Sequence, residues 1–157
     1  MKTLSITQGI LVLAATAITG FAVANDPTAI GGLPRGTFAG KGLWFAGSKS
    51  GNYELQTTIS ENKISATYEL PDGTTKHWNF DIKSKTANEF EVMYGGHPVG
   101  YGYCLQKTVL CHYQVTAYNV DIEETLVFEG GKLFRYGSKS DKEMGRIVWQ
   151  EAMSESK

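Results

Sequence analysis

The sequence predicts an all-β protein, an antiparallel up-and-down meander that closes into a small barrel of about 8 to 10 strands. Between residues 52 and 153, apolar residues recur at every second position in short runs. A period of two places the apolar side chains on one face of a sheet. The phase of this alternation changes at turn sequences, and all connections are short. A sandwich with Greek-key crossing is the alternative, but a closed meander needs no long connection and leaves no exposed edge.

The N-terminal segment predicts an exported protein. Residues 1–24 are predicted to be a signal peptide, because Lys2 precedes an apolar stretch at 10–21 and Ala-Val-Ala at 22–24 forms a cleavage site. The stretch is shorter than the ~20 residues of a membrane span, so we expect cleavage and a periplasmic or secreted location. Residues 25–36 contain Asp-Pro, Gly-Gly and Leu-Pro and predict an irregular lead-in. The β-barrel domain is expected at 37–157.

Ten strands are predicted within this domain, each one a run of alternating apolar residues or an aromatic run between turn signals. Their predicted ranges are 38–46, 52–60, 63–70, 75–83, 89–94, 99–105, 109–118, 120–129, 132–138 and 146–153. Turn sequences such as Pro71-Asp72-Gly73 and Gly130-Gly131 separate them. A single helical turn is predicted at 140–144, too short to form a layer.

The only two cysteines, Cys104 and Cys111, predict one disulfide. In the hairpin formed by 99–106 and 109–118 they lie directly opposite each other on one face, at bridging distance. An oxidising compartment favours the bridge. A redox or metal pair is the alternative, but the spacing lacks the C-x-x-C form of such sites and no second pair exists. We therefore expect no metal site.

Composition excludes several functions. The formal net charge of −1 supplies no footprint for nucleic acid or for an anionic membrane surface. The chain ends Ser-Glu-Ser-Lys without a terminal aromatic strand, so we expect no membrane integration. The sequence contains no nucleophile elbow, phosphate-binding loop or zinc-protease motif. We therefore expect a protein that is not an enzyme and that needs no cofactor.

One short motif resembles the first strand of the calycin barrels, the group that includes lipocalins, fatty-acid-binding proteins and avidins. Gly42-Leu43-Trp44 is similar to their G-x-W, and Arg146 near the final strand is similar to the Arg that packs across that Trp. The resemblance implies that Gly42, Trp44 and Arg146 close the barrel, with the indole plugging its closed end under the guanidinium. The C-terminal helix of lipocalins is missing, which indicates a shorter calycin relative.

A barrel of this size has room for one small ligand, so the predicted function is binding of a small, mostly apolar molecule in the interior. The candidate ligand-binding residues are aromatic or polar side chains on the predicted strands: Trp44, Tyr68, Trp78, Phe80, Tyr94, Tyr101, Tyr103 and His112. The last three depend on which face of the cysteine hairpin points inward, which the sequence leaves open. The alternative function is an envelope interaction protein, an inhibitor or assembly factor, whose barrel is a scaffold for a protein partner.

Overall fold

A computed structural model describes residues 33–105, 110–117, 120–141 and 145–156. Within these ranges all regular structure is β, and the antiparallel strands form a closed barrel in which β1 pairs with both β2 and β10. The strands are β1 Gly36–Ala46, β2 Lys49–Ile59, β3 Lys63–Glu69, β4 Thr75–Ser84, β5 Glu89–Tyr94, β6 His97–Leu105, β7 Leu110–Ala117, β8 Val120–Glu129, β9 Lys132–Asp141 and β10 Gly145–Glu155. The predicted all-β meander and its closure are confirmed.

Most strand boundaries lie within two residues of the prediction, and two differ by three residues. β2 begins at Lys49, within the predicted turn, because Gly47 takes a positive φ of 61° and the chain reverses in two residues, so that Ala46 pairs with Lys49. β9 extends to Asp141 and includes the first residues of the predicted helical turn. Ser140 pairs with both β8 and β10, so the strand continues where its backbone finds partners on both sides. Residues 142–144 lie outside the described part.

The predicted export signal and most of the irregular lead-in also lie outside the described residues. Leu33, Pro34 and Arg35 have no regular structure, and β1 begins at Gly36. Among the residues that the structure describes, there is no helix long and apolar enough to cross a bilayer.

One half of the barrel interior is an apolar core. It lies at the end that carries the β2–β3, β4–β5 and β8–β9 turns, and its side chains are almost fully buried: Phe38, Ile59, Ile64, Phe90, Val92, Leu126, Leu133 and Met153. The ring of Phe38 meets Phe128 edge to face at 5.8 Å between centroids. The predicted disulfide is confirmed: Cys104 and Cys111 are bonded, pair directly across β6 and β7, and face this core.

Candidate functional site

The other half of the interior is a cavity of about 710 Å³. It reaches the β3–β4 turn, whose exposed residues Pro71 and Asp72 line its mouth. Its wall is largely aromatic and aliphatic, formed by Trp44, Leu70, Trp78, Phe80, Ile122, Ile147 and Trp149. The sequence contains three tryptophans, so every one of them lines this cavity.

Glycines on neighbouring strands make room for two of these indoles. A Cβ atom on Gly51 would lie 2.6 Å from Nε1 of Trp44, and one on Gly137 would lie 2.4 Å from Cζ2 of Trp149. Both separations are far below van der Waals contact. Each indole therefore lies against the bare backbone of the adjacent strand, which keeps the middle of the barrel free.

Below the cavity lies a layer of polar side chains, all buried except the half-buried Tyr68 and here called the polar floor: Tyr53, Tyr68, Tyr113, Glu124, Arg135 and Glu151. Arg135 is fully buried, and its Nε donates to Oε2 of Glu151. The same Nε lies 3.7 Å from Oε1 of Glu124. The floor therefore holds one guanidinium between two carboxyl groups, and it separates the cavity from the apolar core.

Three tyrosines complete the floor, and each phenol has a defined role. Tyr53 donates its O–H to Oε1 of Glu151 at 2.6 Å, and Tyr113 donates to Oε2 of Glu124. The oxygen of Tyr68 instead accepts two hydrogen bonds, one from Nη2 of Arg135 at 2.8 Å and one from Nε1 of Trp78 at 2.5 Å.

Arg135 also stacks on the cavity wall. Its guanidinium carbon lies 5.2 Å from the ring centroid of Trp78 and 5.8 Å from that of Tyr68. Both distances are within the range of a cation–π interaction. The floor and the aromatic wall are thus one connected structure, so a change in either one should affect the other.

Burial controls the protonation of the floor. Burial raises the pKa of Glu124 to about 7, against the opposing effect of Arg135 and with a further increase from Glu151. Burial also raises the pKa values of Tyr53 and Tyr68, which keeps both phenols protonated. For Arg135, burial acts to lower the pKa, but Glu124, Tyr68 and Glu151 outweigh it and the pKa is raised. The guanidinium stays charged, and near neutral pH the variable charge is that of Glu124.

Four of the predicted ligand-binding residues come together at this site. Trp44, Tyr68, Trp78 and Phe80 all line the cavity. Tyr94 does not line it: the side chain is largely exposed, and its ring meets Phe80 at a centroid distance of 6.2 Å.

The other three candidates lie on the outer face of the barrel. Tyr101 and Tyr103 are 61% and 42% exposed. His112 accompanies them on this face, with Nδ1 hydrogen-bonded to Oγ1 of Thr125 at 3.0 Å. Because the bonded cysteine pair points into the core, strand alternation turns these side chains outward. Of the two orientations that the sequence left open, the structure therefore has the one in which Tyr101, Tyr103 and His112 are surface groups.

The residues predicted to close the barrel take other positions. Trp44 pairs with Trp149 and lines the cavity, whereas the closed end is filled by the apolar core. Arg146 is exposed, and its Nη2 donates to Oγ of Ser138 at 3.2 Å. The buried arginine that stacks on an indole is Arg135. Position 146 has the opposite parity to the inward residues of β10, so its side chain points away from the interior.

Gly42 makes room for a floor residue. A Cβ atom at this position would lie 2.3 Å from the ring of Tyr53. The glycine therefore admits the phenol that holds Glu151, and its role belongs to the polar floor.

The prediction missed the charged members of the floor: Glu124, Arg135 and Glu151. The signal was present in the alternation, because each charge occupies a position that the pattern assigns to the apolar face. Glu124 stands between Ile122 and Leu126, and Glu151 between Trp149 and Met153. A charge in the inward phase of a strand is expensive to bury unless it is paired, so it marks a polar cluster.

The histidines, cysteines and carboxylates of the described ranges form no group of three or more that could hold a metal ion.

Comparison with known proteins supports the fold. No family model matches the chain. No curated protein matches it in sequence. Among solved structures, the S-type phycobiliprotein lyase CPES from Guillardia theta is similar, with a TM-score of 0.62 and 7% sequence identity over 78% of this chain and 88% of that chain. The fold is a calycin-like barrel, and at this identity the likeness extends to the fold alone.

Proposed function

We propose that the barrel binds a small, mostly apolar ligand in its interior. The observation that carries the proposal is the cavity of about 710 Å³, with an aromatic wall and a hydrogen-bonded polar floor. Small-molecule sites are typically clefts of ~300 to 1,000 Å³, largely apolar, with a few polar groups that fix orientation. The wall would supply contact area for the ligand, and the floor would supply the polar contacts.

We also propose binding without catalysis, in an exported protein. In the floor, the carboxyl groups of Glu124 and Glu151 are held by hydrogen bonds from tyrosines and by Arg135. Carboxyl groups held in this way form a fixed polar surface, which supports a role in binding. The buried disulfide supports export, because such bonds form and persist in oxidising compartments.

The test is titration with the uncharged fluorescent probe N-phenyl-1-naphthylamine. Probe bound in the cavity should brighten and should quench the emission of the tryptophans, since all of them line the cavity. Ile147→Phe would add bulk inside the cavity, whereas Val148→Phe places the same ring on the outer face next to it. We expect binding to weaken about tenfold in Ile147→Phe and to stay unchanged in Val148→Phe.

Two outcomes would contradict the proposal. One is the absence of binding by the probe and by a broader set of apolar dyes. The other is equal binding by the two phenylalanine variants, which would place the probe on the outer surface. If neither outcome is observed, native mass spectrometry of protein purified from its own host would identify the natural ligand. It should appear as a reproducible added mass that is lost in Ile147→Phe.

One observation favours the scaffold alternative. Phe45 and Val148 pair directly across β1 and β10 on the outer face, and with Leu43 they form an exposed apolar patch. Replacing Phe45 and Val148 by Ser separates the two functions. A protein partner held by this patch would be lost in the double variant, whereas binding of the probe in the cavity would be unchanged.

A further inference from the structure

The hydrogen bonds of the polar floor leave one phenolic proton without an acceptor. A phenol oxygen accepts through its lone pairs and donates one proton. The oxygen of Tyr68 accepts from Arg135 and from Trp78, so its lone pairs are occupied. Within the described ranges, no group accepts a hydrogen bond from Tyr68. Its O–H is therefore a donor available to a molecule in the cavity that this side chain lines.

The other donors of the floor are used or enclosed. Tyr53 and Tyr113 donate to the carboxylates of Glu151 and Glu124. Nη1 of Arg135 and Nε1 of Trp149 are fully enclosed, and the indole N–H of Trp149 interacts with the carboxyl group of Glu124. Glu124 has a proton to donate only below its pKa of about 7, so above that pH the half-buried Tyr68 is the donor of the floor within reach of a ligand.

The two bonds that Tyr68 accepts should strengthen its donation. Hydrogen bonds in a chain polarise one another, and a donor that is itself charged has the larger effect. The guanidinium of Arg135 withdraws electron density from the phenol oxygen, which makes the remaining O–H a better donor. Its natural partner is an oxygen with a free lone pair.

The charges around Tyr68 determine which oxygen is favoured. An ammonium group has no lone pair for the O–H, and it would lie beside the guanidinium of Arg135. A carboxylate on the polar floor would meet Glu124 and Glu151, which also line the cavity and share a single buried cation. Lys76 and Lys139 line the cavity too, but Lys76 is exposed and Lys139 is half-buried, so solvent screens their charges from the floor. An uncharged acceptor avoids both repulsions.

We infer that the ligand carries an uncharged oxygen acceptor of the carbonyl type at its inner end, and that the O–H of Tyr68 is the contact that selects it. This inference rests on the proposed function. It assigns the ligand an orientation, with the carbonyl on the polar floor and the apolar body between the indoles of Trp44, Trp78 and Trp149.

A matched ligand series tests the inference by displacement of N-phenyl-1-naphthylamine. It consists of 2-acetylnaphthalene and three analogues in which the carbonyl is replaced by an alkene, a carboxylate or an amine: 2-isopropenylnaphthalene, 2-naphthoic acid and 1-(2-naphthyl)ethylamine. The ketone and the alkene have nearly the same shape. We expect the ketone to bind about 5- to 10-fold more tightly than the alkene and more tightly than either charged analogue.

Two variants locate the contact. Tyr68→Phe should bring the ketone-to-alkene ratio of affinities close to one, whereas Tyr136→Phe removes an exposed phenol on the outer face of β9 and should preserve the ratio. Tyr68→Phe also removes the oxygen that accepts hydrogen bonds from Arg135 and Trp78, so the variant changes the floor itself. An infrared measurement on the unmodified protein avoids this change. The carbonyl stretching band of bound 2-acetylnaphthalene should lie at lower wavenumber than in an alkane solvent.

The outcomes separate the inference from the proposed function. Equal binding of ketone and alkene, tighter binding of a charged analogue, or an unshifted carbonyl band would overturn the inference while leaving interior binding intact. A ratio that is unchanged in a folded Tyr68→Phe variant would also overturn it. Failure of the probe and of the whole series to bind would contradict the proposed function itself.

Discussion

Glu124 should make the stability of the barrel depend on pH across the neutral range. Its carboxyl group is buried in the floor, and burial raises its pKa from 4.5 to about 7 in the folded protein. A carboxyl whose folded pKa is raised binds its proton more tightly in the folded state. Its contribution to stability is therefore fully present below pH 4.5 and is lost as the pH rises to about 7, above which it stays constant.

The magnitude follows from the size of the shift. One pKa unit corresponds to ~1.4 kcal/mol of differential stability. The rise from 4.5 to about 7 therefore corresponds to a loss of about 3 kcal/mol in the free energy of unfolding between pH 4.5 and pH 7. Glu124→Gln keeps an oxygen acceptor for the Tyr113 O–H but carries no titratable proton, so this dependence should disappear.

Urea unfolding followed by tryptophan fluorescence at several pH values between 4.5 and 8 measures the effect. The control is Glu69→Gln, which removes an exposed carboxyl on β3 and should leave the pH profile unchanged. The difference in stability between the unmodified protein and Glu124→Gln should shift by about 3 kcal/mol over this range. Parallel profiles for the two proteins would refute a raised pKa for Glu124.

Two further changes test the interior. Cys104→Ser combined with Cys111→Ser should lower the melting temperature by about 10 °C with retention of the β circular-dichroism signal, because the short closed loop contributes about 2 to 3 kcal/mol. Two free thiols in the unreduced, denatured protein would contradict the bridge itself. Arg135→Met should lower the free energy of unfolding by about 3 to 5 kcal/mol, since it leaves two buried carboxyl groups without their cation. Arg146→Met, on the outer face, should change it by less than about 0.5 kcal/mol, and equal effects of the two substitutions would show that the floor is not held by Arg135.

The sequence determined the meander, the position of most strands and the disulfide. These features depend on local alternation, on turn residues and on the register of one hairpin, all of which involve residues close together in the chain. Four of the eight predicted ligand-binding residues line the cavity, because Trp44, Tyr68, Trp78 and Phe80 stand in the inward phase of their strands.

Tertiary structure decided which face of each hairpin points inward. Alternation gives a strand two faces, and in β6 and β7 both faces carry aromatic or polar groups. The pattern alone therefore does not show whether Tyr103 and His112 or Tyr113 point into the barrel. Closure of the barrel and burial of the Cys104–Cys111 bond settled the choice. The same closure placed Arg146 outside and Arg135 inside.

The polar floor likewise required the closed barrel. Tyr53 and Glu151 are separated by 98 residues and Tyr68 and Arg135 by 67, yet each pair is joined by a hydrogen bond. In the sequence, Arg135 and Glu151 are isolated charges in apolar runs, which local patterning treats as exceptions. Only when the strands close into a barrel do these charges neutralise each other, because a buried charge is tolerated where its partners, contributed by distant strands, lie within hydrogen-bond distance.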